Sequence, residues 1–167
     1  SEPVTSVLCD ELVASICHTA AADNTIVSLD LKSGKRCKYR VRPQCFVRYL
    51  GQMPAGEREL VTADSDGGIT MFDFDLEEPT LYIAPHDDSP TMCSLSVSPT
   101  GAYLACCGAG PHVFVFDAKT GQRVARVKYN STRAVAVAWT PDEKQLVSVG
   151  RDGELCIFNW YVDKDEQ

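Results

Sequence analysis

Four short apolar segments, each closed by Asp or Asn, recur along the chain at nearly constant spacing. They are Ile26-Val27-Ser28-Leu29-Asp30, Ile69-Thr70-Met71-Phe72-Asp73, Val113-Phe114-Val115-Phe116-Asp117 and Leu155-Cys156-Ile157-Phe158-Asn159. Their closing residues fall 43, 44 and 42 residues apart. The turn before each segment keeps the same step, at Asp23, Asp66, Gly110 and Asp152. A third landmark, Pro54-Ala55-Gly56, Pro99-Thr100-Gly101 and Pro141-Asp142-Glu143, advances by 45 and then 42 residues. Three landmarks on one period confine the chain to stacked copies of a single supersecondary unit.

The copy from Arg133 to Trp160 shows what the unit is. Residues 134–139, 145–150 and 154–160 carry strand patterns. Thr140-Pro141-Asp142 and Arg151-Asp152-Gly153 separate them as turns, where Pro presets φ and Asp bonds its own backbone. Three strands of this length cannot bury a face alone. A period of about 40–45 residues with four strands per unit predicts a propeller blade. The blades are expected at about 4–41, 45–85, 91–129 and 133–161, followed by a polar tail over 162–167. The fourth is expected to lack its outer strand.

Local patterns refine this layout. Residues 12–18 are expected as the second strand of blade one. In residues 36–42 the cations Arg36, Lys38, Arg40 and Arg42 alternate with Cys37, Tyr39 and Val41. A charged row on an outer strand blocks edge-to-edge pairing; a phosphate or acidic-partner patch is the other reading. Cys106 and Cys107 are adjacent in a strand, so one is expected in the core and the other at the blade surface.

The chain resembles the WD40-repeat β-propeller family on these residues. The turn aspartates Asp23, Asp66 and Asp152 match, as do the strand ends Leu29-Asp30, Phe72-Asp73, Phe116-Asp117 and Phe158-Asn159, which stand where the family usually has Trp-Asp. The chain departs from the family in lacking Trp at those strand ends and the Gly-His pair that opens a typical repeat, and in having Gly110 at one turn. The resemblance implies an all-β fold of antiparallel four-stranded blades. Asp23, Asp30, Asp66, Asp73, Asp117 and Asp152 would be structural turn or strand-end residues. It also implies a ring of six to eight blades. An open half-ring leaving about 500 Å² of apolar face wet would forfeit roughly 12 kcal/mol at ~25 cal/mol per Å². Further blades of a longer chain, a second copy or a partner chain are therefore expected to complete it.

Composition narrows function. The net charge of −7 argues against nucleic acid as a direct ligand. No run of 18 apolar residues is present, so no membrane span is expected. Eight cysteines without a CxxC motif, several inside strand patterns, point to reduced thiols in a cytoplasmic or nuclear protein; a cytoskeletal or ciliary setting is also compatible. The acidic run of blade two fits no calcium loop, and His18, His86 and His112 have no ligand spacing. No cofactor, metal site or catalytic constellation is expected, and the chain is expected not to be an enzyme.

The positive expectation is a protein-binding scaffold in a multiprotein assembly. The alternative is a regulatory subunit of an enzyme whose active site lies on the partner. In the family the usual binding surface is the end of the propeller formed by the links into each first strand and the turns between second and third strands. The matching partner-binding positions are Arg42, His86, Asp88 and Arg133 in links, with Asp64, His112 and Arg151 near turns. His86 has a further reading, as the surviving histidine of the family's structural network.

Overall fold

The computed structural model describes residues 3–9, 15–40, 46–54, 59–73, 79–85, 91–128 and 131–160. Among them, strands β1 (Val4–Cys9), β2 (Ile16–Ala21), β3 (Thr25–Asp30) and β4 (Arg36–Arg40) form the first sheet. The second contains β5 (Val47–Gln52), β6 (Glu59–Asp64), β7 (Ile69–Asp73) and β8 (Pro79–Ile83). The third contains β9 (Met92–Val97), β10 (Tyr103–Gly108), β11 (His112–Asp117) and β12 (Arg123–Lys128). The fourth has three described strands, β13 (Ala134–Trp139), β14 (Gln145–Gly150) and β15 (Leu155–Asn159). Each sheet is an antiparallel meander in chain order. The first strands β1, β5, β9 and β13 adjoin one another in succession, so the sheets fan from their inner edges.

Apolar faces hold the sheets together. Ala20, Ile26, Val47, Leu50, Leu60 and Phe72 pack between sheets one and two. Val61, Ile69, Met71, Leu95, Leu104 and Phe114 belong to the core between sheets two and three. Ala105, Cys107, Val113, Val137, Leu146 and Phe158 fill the space between three and four. A middle sheet is therefore covered on both faces. This corrects the expectation for Cys106 and Cys107. Both are buried, Cys106 in the core toward sheet two and Cys107 in the core toward sheet four. Burial pushes both thiols up, Cys107 to about 12. At the end of the stack, the far side of sheet four leaves Leu155 and Ile157 more than half exposed.

Polar contacts add register. Ser94 and Ser96 on β9 accept hydrogen bonds from the amides of Val137 and Trp139 on β13, at 3.4 and 3.3 Å. At the opposite end of the same two sheets, the Glu143 carboxylate receives the Thr100 amide at 2.8 Å and its hydroxyl at 2.9 Å. Glu143 occupies the left-handed region at φ 57°, in the turn that its amide closes onto the Thr140 carbonyl.

The strand-end acids make turns. Asp30 accepts from the Lys32 amide and the Ser33 hydroxyl, and the Gly34 amide returns to its carbonyl. Asp117 does the same with Lys119, Thr120 and Gly121. Both glycines sit at φ 70°, which a side chain would strain. β2 runs on to Ala21, beyond the expected end at His18, and Asn24 at φ 64° closes the following turn onto the Ala21 carbonyl. Arg36, the first cation of the expected row, is exposed, while the side chains of residues 37–40, and Arg42, lie outside the described residues.

Phe116 is 2 % exposed in the central core, whereas Val124 on the outer strand β12 is 50 % exposed. Phe116→Ala is expected to lower unfolding free energy by about 3–5 kcal/mol, and Val124→Ala to change it by no more than about 0.5 kcal/mol. Urea titration of the two variants checks the contrast.

Candidate functional site

Each inner strand begins with the same irregularity. Register shifts at Val4/Ser6, Val47/Tyr49, Cys107/Gly108 and Ala134/Ala136 leave Thr5, Arg48, Cys93 and Val135 as extra residues. A bulge of this kind re-aims the side chain it carries. The four bulges share one end of the sheets with the links into the inner strands and the turns between second and third strands. The opposite end carries the turns at 98–102 and 140–144.

The bulge end is built most completely around sheet four. The link residue Ser131 donates its hydroxyl to Asp152 Oδ2 at 2.7 Å and lies 2.9 Å from Glu154 Oε2, which also takes its amide at 3.2 Å. The Arg151 amide donates to the Arg133 carbonyl at 2.9 Å. Link and turn are thus tied together. Asp152 Oδ1 also accepts from the Glu154 amide. The Ser131 hydroxyl, followed by that amide bond, holds the Asp152 carboxyl below its usual range. The two arginines then diverge. Arg151 is exposed, whereas Arg133 turns inward and donates to the Cys93 thiol on the neighbouring sheet.

The remaining expected residues fall in several places. His112 is half-buried at the start of β11, with its Nε2 3.3 Å from Arg126 Nη2 and its ring against Phe114. Asp64 is 2 % exposed, and its Oδ1 receives the Gly68 amide at 2.7 Å. A Cβ on Gly68 would meet Asp64 Oδ2 at 2.6 Å. That close turn, built around a buried acid, corrects the expectation of a carboxylate presented to a partner. Arg42, His86 and Asp88 lie outside the described residues. Among the turn residues, Asp23 accepts from the Thr25 amide and hydroxyl. Asp66 and Asp73 are half-buried in or beside the second sheet's turns.

Two exposed groups at this end escaped the sequence reading. Phe46 is 55 % exposed just before β5, with its amide on Ser65 Oγ, and Arg48 is the exposed bulge residue of that strand. The signal was available in the period, since the bulge residues are spaced by 43, 45 and 42. At the opposite end, Met53, Pro54, Glu59, Met71, Leu81 and Lys119 are among the residues lining a cleft of about 460 Å³ between sheets two and three.

Comparison with known proteins bears on both fold and site. The family model described as WD domain, G-beta repeat matches residues 78–117 and 122–159. Each match begins at or just before an outer strand, β8 or β12, and runs through three strands of the next sheet. The sequence repeat is therefore one strand out of phase with the sheet, which ties neighbouring sheets through the chain. Human pre-mRNA-processing factor 17 is 25 % identical over 165 residues, covering 93 % of this chain and 27 % of that protein. WD repeat-containing protein 1 of Xenopus tropicalis is 31 % identical over 103 residues, covering 60 % of this chain and 17 % of that protein. The chain thus spans at most about a quarter of the length of these relatives. The crystal structure of Chaetomium thermophilum Raptor superposes with a TM-score of 0.85 at 18 % identity, over 96 % of this chain and 16 % of that one.

The depressed Asp152 carboxyl gives the Ser131 clamp a pH dependence. A folded-state value below the unfolded one contributes stability above the unfolded pKa and loses it as pH falls through the folded pKa. Wild type is expected to be more stable than Asp152→Asn at neutral pH, with the difference lost as pH falls through the lowered folded-state value of the Asp152 carboxyl. Chemical denaturation at neutral pH and along an acid series measures it.

Proposed function

We propose that this WD40-repeat chain of β-propeller fold is a noncatalytic docking platform that engages protein partners through the bulge end of its sheets. The observation that carries the reading is the Ser131–Asp152–Glu154 clamp together with the Arg151-to-Arg133 backbone bond. These bonds fix two loops from different parts of the repeat on a rigid stack and leave Arg151 projecting beside two carboxylates. Pre-fixed loops reduce the ordering cost of association. Arginine with nearby aromatic surface, here Arg48 and Phe46, is a favoured anchor type. The relatives' names include a pre-mRNA-processing factor and WD-repeat proteins, which supports work inside larger assemblies in the cytoplasm or nucleus. Regulation of an enzyme whose active site lies on the partner uses the same surface and differs only in what the partner does.

The open faces enter the same proposal. Val135, Leu155 and Ile157 on sheet four and Val4 and Val7 on sheet one are exposed. Further blades are the covering this reading favours, supported by how much longer the matched relatives are.

Arg151→Glu is expected to abolish stoichiometric capture of a protein partner while leaving thermal unfolding unchanged. Lys119→Glu, at the opposite end, is expected to leave capture intact. Affinity purification of the three proteins in parallel tests this. Loss of the partner with Lys119→Glu and its retention with Arg151→Glu would place docking at the cleft end instead.

A further inference from the structure

Two cysteines meet across the first two strands. In the β1–β2 ladder Cys9 pairs with Cys17, directly opposite. Among the described residues no other two cysteines are ladder partners. Leu8 and Ala20 belong to the core between sheets one and two, so alternation turns Cys9 and Cys17 to the other face of sheet one. That face also carries Val7, 61 % exposed. Cys9 is exposed there and Cys17 half-buried. The two side chains are hydrogen-bonded to each other. The Cys17 thiol is pushed up, chiefly by burial and then by the charge of the Cys9 sulfur and that hydrogen bond.

Opposed residues of an antiparallel pair have Cα atoms about 4.5 or 5.5 Å apart. A disulfide spans Cα separations of about 4.4–6.8 Å. The ladder therefore holds both thiols at bridging distance with no need to move the backbone. We propose that Cys9 and Cys17 are an oxidisable dithiol, converted to a cross-strand disulfide by low-molecular-weight disulfides such as oxidised glutathione. The Cys9 thiolate attacks one sulfur of the oxidant, whose S–S bond breaks and releases the first glutathione. Cys17 then ionises and attacks the Cys9 sulfur, and the bond from Cys9 to glutathione breaks to release the second. Each departing thiolate takes up the proton that its attacker gave up. The two protein thiols lose two electrons, and the oxidant gains them as two thiols. Once Cys9 is capped, its charge no longer opposes ionisation of Cys17. The new bond ties β1, an end strand of its sheet, to β2. Since β1 is the inner strand that adjoins β5, oxidation fixes the first sheet's contact with the second. An exposed disulfide is among those most readily reduced again, which makes the bond reversible. It forms within one sheet and does not depend on where partners dock.

The test incubates the full chain with oxidised glutathione and about 0.1 mM free glutathione, then maps linkages by peptide mass spectrometry. A neighbouring thiol acts at a millimolar effective concentration, so the Cys9–Cys17 bond is expected in roughly 10-fold excess over glutathione-capped Cys9. Cys17→Ser should lose the bridge and accumulate glutathione on Cys9. Amide exchange in β1 should slow on oxidation of the wild type and not on oxidation of Cys17→Ser. Continued protection of the buried Cys106 and Cys107 from a thiol-alkylating reagent reports that the variant is folded. Should Cys17→Ser fail that control, the linkage map of the wild type decides. Stable glutathione on Cys9 without the bridge, dimers linked through Cys9, or a Cys93–Cys107 bond formed ahead of it would overturn the proposal.

Discussion

Apolar contact between the faces of neighbouring sheets is the constraint on which the molecule depends. A four-stranded sheet of five- or six-residue strands has two sides, and here both sides of the middle sheets are apolar. Neither side can be left to water without a large loss of hydrophobic stabilisation. Strand β10 shows the consequence most directly, since Leu104 and Cys106 face one neighbour while Ala105 and Cys107 face the other. The stack grows until something covers its ends.

Polar groups set the register that apolar packing leaves loose. Ser94 and Ser96 meet the amides of β13, and Glu143 reaches Thr100 across the far end of the same pair of sheets. Each bond joins residues 43 apart, one repeat away. The same periodicity that aligns the sequences therefore aligns hydrogen-bonding partners in space.

Much of this was legible from the chain alone. The strand ends Asp30 and Asp117 announced their turns because each is followed by a Ser or Thr and then Gly at fixed offsets. The meander order followed from the period. Other features needed coordinates. Strand alternation assigns Cys106 and Cys107 to opposite sides, but it does not say that both sides are interior. Asp64 reads as an ordinary loop acid, and only the close approach of Gly68 shows it turned inward. The bulges were hidden because an extra residue leaves no mark in composition. Thr5, Arg48, Cys93 and Val135 share a position and almost nothing else chemically. At the candidate site, Arg133 and Arg151 were both expected to face a partner, yet one is directed into the structure by a sulfur on the next sheet.

Amide hydrogen exchange across the whole chain tests the stacking most directly. Strands covered by neighbours on both faces should open only with global unfolding. The account predicts the slowest exchange in β6, β7, β10 and β11, with β14 markedly faster although it too is laddered on both edges. Equal protection in all four sheets, or exchange of β10 and β11 as early as β14, would show that the sheets open independently and would contradict it.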